Sequence, residues 1–147
     1  MRIIYGICSW GLGHATRSLP IIRKLIEEGN HITIISHGHS LRFLQKELGD
    51  DRIRYFDVKD YPIPIAETKG AFVAKTMLYW PKFMSRMHRG LRFVTKLLEK
   101  ERIDVIISDG RYDIYSRRVP SFLINHQVRI LNPFHMKIFE YGSEIYN

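Results

Sequence analysis

The sequence predicts an α/β fold built on a doubly wound, mostly parallel sheet. Three observations carry that prediction. Short β-branched runs alternate with stretches of helical apolar spacing. The first run ends in a glycine-rich turn that opens a helix, and no internal repeat or low-complexity segment interrupts the alternation.

Residues 2–8, RIIYGIC, suit a buried parallel strand. Helical spacing follows: Ala15, Leu19, Ile22 and Ile26 share one face with Leu25 beside them, whereas Arg23, Lys24, Glu27 and Glu28 face away. Gly29 supplies a C′ stop, and Pro20, which lacks an amide donor, predicts a kinked or tightened opening. Residues 31–36, HITIIS, form a second strand, residues 41–48 a short second helix ahead of Gly49, and residues 52–58, RIRYFDV, a third strand. Pro62 and Pro64 turn residues 59–70 into an extended loop. A long helix runs from about residue 71 to residue 100, with Pro81 as a candidate break. Residues 104–108 and 121–125 are the fourth and fifth strands, and residues 133–147 start another helix. In such sheets ligands bind at the carboxyl ends of the strands, so the loops 9–14, 36–40 and 109–118 matter most.

A length of 147 residues with 45% hydrophobic and 26% charged residues supports one core and a single domain over 1–147. No apolar run approaches the roughly 20 residues that span a bilayer, and the N-terminal run lacks a signal-peptide cleavage site, so a cytoplasmic protein is expected. The single cysteine, Cys8, has no partner for a disulfide or a zinc site within the chain and reads as a core residue. The net charge of +8 is concentrated between residues 69 and 102, where nine Lys and Arg face two acids, Glu99 and Glu101. Such a surface favours anionic partners: nucleic acid, acidic lipid headgroups or phosphorylated substrates.

The glycine turn, SWGLGHATRS over residues 9–18, is tested against two phosphate-binding patterns. A dinucleotide fingerprint needs a third glycine where Thr16 stands and an acid after the second strand, where Ser36, His37 and Gly38 stand. A Walker loop needs a lysine that does not follow Gly13. What remains is a turn whose glycines let a ligand approach the backbone, leading into a helix N-terminus that can hold an oxyanion. His14 then stands at the mouth of the sheet as a general base for a hydroxyl, or else it caps the helix and packs against the loop. Spacing alone leaves both readings open.

The run GLGHATRSLPIIRKLIEEGNHITIIS, together with IISDGRYDIYSRRVPSFLINHQ, resembles the N-terminal half of a GT-B glycosyltransferase, a Rossmann-like domain. The likeness spans essentially the whole chain and is strongest to the family 28-like group that includes the peptidoglycan N-acetylglucosaminyl transferase. It implies transfer of a glycosyl group from a nucleotide-sugar donor to an acceptor hydroxyl, possible lipid linkage of that acceptor, and no catalytic metal or other cofactor. It also implies that the chain holds the acceptor-binding half, that the donor-binding half is absent, and that the chain alone has little activity. On this resemblance His14 and Asp109 are catalytic: His14 deprotonates or positions the acceptor and Asp109 orients an imidazole or binds a sugar hydroxyl. Gly11, Gly13, Arg17, Arg111, Tyr112, Asn125, His126 and Gln127 are carried over as substrate-binding. Trp10, Gly11 and Leu12 depart from the more glycine-rich pattern of some relatives.

Residues 71–100 carry two stripes: Lys82, Arg86, Arg89, Lys96 and Lys100 on one face, Phe83, Met87, Val94 and Leu98 on another. An amphipathic helix with its charged side in water explains them. A sharper reading has Tyr79, Trp80, Phe83 and Met84 beside the cations touching a membrane surface and bringing a lipid-linked acceptor to the cleft. His37 and His39 lack the further ligands of a metal site, and His31, His88 and His135 read as structural or solvent-facing. The stretch SRRVP over 116–120 is either an anion site or a solvated edge. Two other functions compete: half of a nucleotide-sugar epimerase, and a basic nucleic-acid-binding module. The second lacks a recognised motif and an aromatic stacking platform.

Overall fold

A computed structural model describes residues 1–62 and 68–125. Five strands, β1 (Arg2–Ile7), β2 (His31–Ser36), β3 (Ile53–Asp57), β4 (Val105–Asp109) and β5 (Ser121–Ile124), form an all-parallel sheet in the order β3-β2-β1-β4-β5. Three helices, α1 (Leu12–Glu27), α2 (Gly38–Glu47) and α3 (Lys69–Lys100), alternate with the first four strands. The helix expected in 133–147 lies outside the described residues, as do His126, Gln127 and His135.

Period-two alternation divides β1 between two cores. Ile3, Tyr5 and Ile7 pack with Ala15, Leu19, Ile22 and Ile26 of α1 and with Leu41 and Leu44 of α2. Ile4 joins Ile35 and Ile106 under Val94 and Leu97 of α3, with Ile103 and Ile114 closing the cluster. Helices therefore cover both faces, and β1 and β2 are buried at every position after the first.

Element boundaries follow capping chemistry more than apolar spacing. Helix α1 ends in a Schellman motif: Gly29, at φ +82°, donates to the Ile26 carbonyl at 2.9 Å and Asn30 to the Leu25 carbonyl at 3.2 Å. Helix α2 starts three residues earlier than its apolar positions indicate, because Gly38 takes φ +58° directly after the extended His37. Helix α3 starts at Lys69, where the Thr68 hydroxyl accepts from the Ala71 amide at 3.3 Å. Pro81 does not break α3: it sits on an exposed stretch, and the helix continues through it to Lys100. Pro20 is likewise accommodated inside α1 on an exposed position.

A six-residue strand is about 20 Å long and a 32-residue helix about 48 Å, so α3 outruns the sheet. Among its described side chains only Val94 and Leu97 are buried, with Gly90 one turn earlier. The N-terminal half of α3 thus stands beyond the carboxyl ends of the strands as a wall.

Gly90 fixes where that wall leans. A Cβ there would lie 2.0 Å from Asp113 Oδ2, so the helix approaches a buried carboxylate through the one residue type that permits it. Alanine normally improves a helix over glycine by about 1 kcal/mol. Gly90→Ala is expected to reverse that sign and destabilise the protein by about 1–3 kcal/mol through overpacking, read as a lower urea midpoint.

Candidate active site

The strand order reverses between β1 and β4: the chain leaves β1 toward β2 and β3, then returns to place β4 and β5 on the other side. At such a switch point the loops diverge and leave a crevice at the carboxyl edge. The registers put Ile7 opposite Asp109, and the Cys8 amide donates to the Asp109 carbonyl at 2.9 Å. The last residue of β4 is thereby locked beside the turn that follows β1.

Asp109 is 1% exposed and gathers donors from one face of α1. Its Oδ2 accepts from Arg17 Nε at 2.8 Å and from the Ser18 hydroxyl at 2.8 Å. Its Oδ1 accepts from Arg17 Nη2 and from His14 Nδ1, the latter at 2.8 Å. Positions 14, 17 and 18 share a helical face by their spacing, which is why one carboxylate can engage all three. Burial pushes the Asp109 carboxyl up, but the bonds from Arg17, His14 and Ser18 outweigh it and hold it below the ordinary carboxylate value.

His14 Nδ1 lies 2.8 Å from Asp109 Oδ1, which only accepts, and 2.7 Å from Arg17 Nη2, which only donates; the tautomer with Nδ1–H on the carboxylate carries its basic lone pair on Nε2. The ring is seated against Gly110, whose φ is +69° and whose missing Cβ would lie 2.7 Å from His14 Cε1. Gly11, at φ +132°, sets the turn before α1, and the Ser40 hydroxyl donates to its carbonyl at 3.0 Å. A side chain at Gly13 would meet nothing within 4 Å, so glycine there leaves open space in front of the helix N-terminus.

Arg111, carried over as substrate-binding, is 0% exposed. It makes a paired contact to Asp113, Nε to Oδ1 and Nη2 to Oδ2, each at 2.7 Å. Its Nη1 donates to Asp60 Oδ1 at 2.7 Å and to the Val58 carbonyl at 3.0 Å. The Ser9 amide donates to the other Asp60 oxygen at 2.7 Å. The guanidinium therefore ties together the loops after β1, β3 and β4, and every polar contact it makes is to protein groups inside the fold. The cation neutralises the two buried carboxylates that flank it. Tyr112 lies on the rim, 42% exposed, with its hydroxyl accepting from Asn125 Nδ2 at 2.9 Å. Cys8 is a buried residue as expected, its thiol pushed up to about 12 chiefly by burial.

Asp60 and Tyr61 were not among the sequence candidates, and they join the parts. The Tyr61 hydroxyl donates to the Gly110 carbonyl at 3.1 Å, its own carbonyl accepts from Trp10 Nε1 at 3.1 Å, and its ring meets Trp10 at 5.2 Å edge-on and Phe83 of α3 at 4.9 Å. They sit in a proline-rich loop with no apolar period to mark them. His37, at the end of β2, bonds Asp57 at the end of β3 through Nδ1 at 2.5 Å, and no group of three metal-ligating side chains occurs among the described residues.

The depressed Asp109 carboxyl fixes a sign. Its contribution to stability is complete above the ordinary carboxylate value and is lost as pH falls through the lower folded value. Asp109→Asn should cost about 3 kcal/mol at neutral pH, because it strips the guanidinium of its buried partner. The same variant should also flatten the acid limb of the urea midpoint plotted against pH.

With this geometry in place, the chain can be compared with known proteins. A model of Glycosyl transferase family 1 matches residues 1–135. An uncharacterized glycosyltransferase of Methanosarcina acetivorans is 28% identical over 141 residues, covering 93% of this chain and 35% of the relative. Another from Methanosarcina mazei is 30% identical over 135 residues, covering 86% of this chain and 33% of the relative. The chain thus spans about a third of the length of these curated relatives. A UGT transferase from Siraitia grosvenorii, solved in complex with UDP, superposes with a TM-score of 0.55 at 18% identity over 84% of this chain and 27% of that one, a likeness of fold. A Rossmann-like sheet of GT-B type, a family match over nearly its whole length and two glycosyltransferase relatives place this chain in Glycosyl transferase family 1.

Proposed function

We propose that this chain is the acceptor-binding half of a nucleotide-sugar-dependent glycosyltransferase, with His14 as the base and Asp109 as the residue that orients it. The observation that carries the reading is the 2.8 Å contact from His14 Nδ1 to a buried carboxylate at the switch point, which directs the Nε2 lone pair away from Asp109. In the reaction, Nε2 takes the acceptor hydroxyl proton as the acceptor oxygen bonds the anomeric carbon. The bond from that carbon to the donor phosphate oxygen breaks, and the nucleoside diphosphate leaves with the electron pair.

The donor is assigned to a second half outside these residues, and the reading is supported by the UDP held by the Siraitia grosvenorii structure. Gly11 and Gly13 keep the approach to the first amides of α1 clear for donor phosphates, and no metal or organic cofactor is required. Arg17 acts through Asp109, and Tyr112 and Asn125 form the acceptor rim; His126 and Gln127, outside the described residues, are carried over as substrate-binding from the sequence resemblance alone. The finer likeness to the family 28 group rests on the sequence motifs alone. A lipid-linked acceptor at a cytoplasmic membrane surface is supported by the exposed Met77, Leu78 and Trp80 beside the cations of α3, while no described helix is long and apolar enough to cross a membrane.

In the transferase containing both halves, His14→Ala should lower kcat roughly a thousandfold with little change in the donor KM, and Asp109→Asn should lower kcat by about a hundredfold. Release of nucleoside diphosphate in the presence of acceptor is the readout. Wild-type turnover by His14→Ala would remove the assignment.

A further inference from the structure

We propose that the acceptor carries a phosphate group, and that this group sits in the cleft between α3 and the loops after β1, β2 and β3. The inference rests on the transferase reading and names the chemistry of its acceptor.

The cleft has a volume of about 390 Å³ and is lined by Lys59, Lys82 and Arg86 together with Trp10, Tyr61 and His37. Some cations on the described surface are paired, as Arg23 is with Glu47, Arg52 with Asp50 and Arg54 with Glu101. Lys59, Lys82 and Arg86 have no carboxylate within ion-pair distance among the described residues, and the lining brings these three together on one concavity. The acid in the lining, Asp60, does not neutralise them. It is 7% exposed, with one oxygen on Arg111 and the other on the Ser9 amide. Three cations thus line one concavity, and among the described residues no carboxylate neutralises them.

A second, independent feature points the same way. His37 is both a lining residue and the N-cap of α2, a ten-residue helix. Its side chain makes no capping bond, because Nδ1 is engaged by Asp57, and the first turn of α2 holds no acid. The amide end of α2 therefore adds its partial positive charge to that of the three side chains. Tetrahedral oxyanions with several acceptor oxygens match such a multi-donor seat better than a neutral hydroxyl.

The remaining wall is aromatic. Trp10, 46% exposed, is propped edge-on by the buried Tyr61, and its indole gives an apolar surface for a sugar or aryl ring next to the anion. Tyr61 also connects this seat to the base, since its hydroxyl bonds the Gly110 carbonyl and Gly110 backs His14. A phosphate held at Lys82 and Arg86 then leaves the rest of the acceptor lying along Trp10 toward the imidazole.

The test is calorimetric titration of the chain with inorganic pyrophosphate. Binding is expected, weakened about tenfold in Lys82→Ala and in Arg86→Ala, and unchanged in Lys100→Ala, which removes the same charge from the far end of the same helix. Lys82 is exposed, so its variant should keep the wild-type urea midpoint and isolates the binding effect. Two further probes separate the sources of the phosphate: glucose 1-phosphate in solution, and phosphatidic acid vesicles compared with phosphatidylcholine vesicles. Binding of either probe that is lost in Lys82→Ala supports the seat and assigns a soluble or a lipid-borne phosphate. Equal weakening by Lys100→Ala, no detectable binding of any probe, or tighter binding of random duplex DNA than of pyrophosphate overturns it. None of these measurements involves turnover, so loss of the base assignment at His14 and loss of the phosphate seat are told apart.

Discussion

A carboxylate that is almost wholly removed from water has to be surrounded by donors, and around Asp109 this requirement organises the rest of the site. The charge is tolerable only because Arg17, Ser18 and His14 converge on it from a single helical face. That convergence sets the rotation of α1 about its axis, and with it the direction in which the imidazole points. It also requires α1 to start close to the end of β4, which the parallel pairing of β1 and β4 provides. Sheet order, helix rotation and side-chain chemistry are here one condition.

Arg111 performs the complementary task one loop away. There a buried guanidinium is enclosed by two carboxylates, and its charge ties together the three loops at the carboxyl edge alongside the Trp10, Tyr61 and Ile114 contacts. Loops are ordinarily the mobile parts of a domain, and a site built on them needs such a brace to hold reacting groups in place. Helix α3 leans on the same brace through Gly90 and Asp113, so the wall of the cleft and its floor share a support.

The parts of this arrangement that depend on periodicity were readable in the sequence. All five strands and the core face of α1 follow from β-branched runs and helical spacing, whereas in α3 the apolar stripe caught Val94 but missed the buried Leu97; the family likeness follows from the motifs around His14 and Asp109. The parts that depend on meetings between distant loops were not. Nothing near Asp60 or Tyr61 in sequence announces that they lie under Arg111 and against Trp10, since both contacts span about fifty residues. Arg111 is part of the motif, but its ion pairs with Asp113 and Asp60 depend on neighbours of which Asp60 is brought to it only by the fold. Ser18 was within reach, because its spacing from His14 places it on the same face of α1.

Gly110 has a bearing on how sequences of this kind can drift. Its Cβ position is occupied by the His14 ring, although the two residues are 96 apart in the chain. A lineage that places any side chain at 110 must first lose or turn the imidazole, while a lineage that has lost the imidazole is relieved of one steric demand at 110, though the positive φ continues to favour glycine there. The two positions are therefore coupled in the order of their substitutions: a side chain at 110 can follow, but cannot precede, loss or rotation of the imidazole at 14.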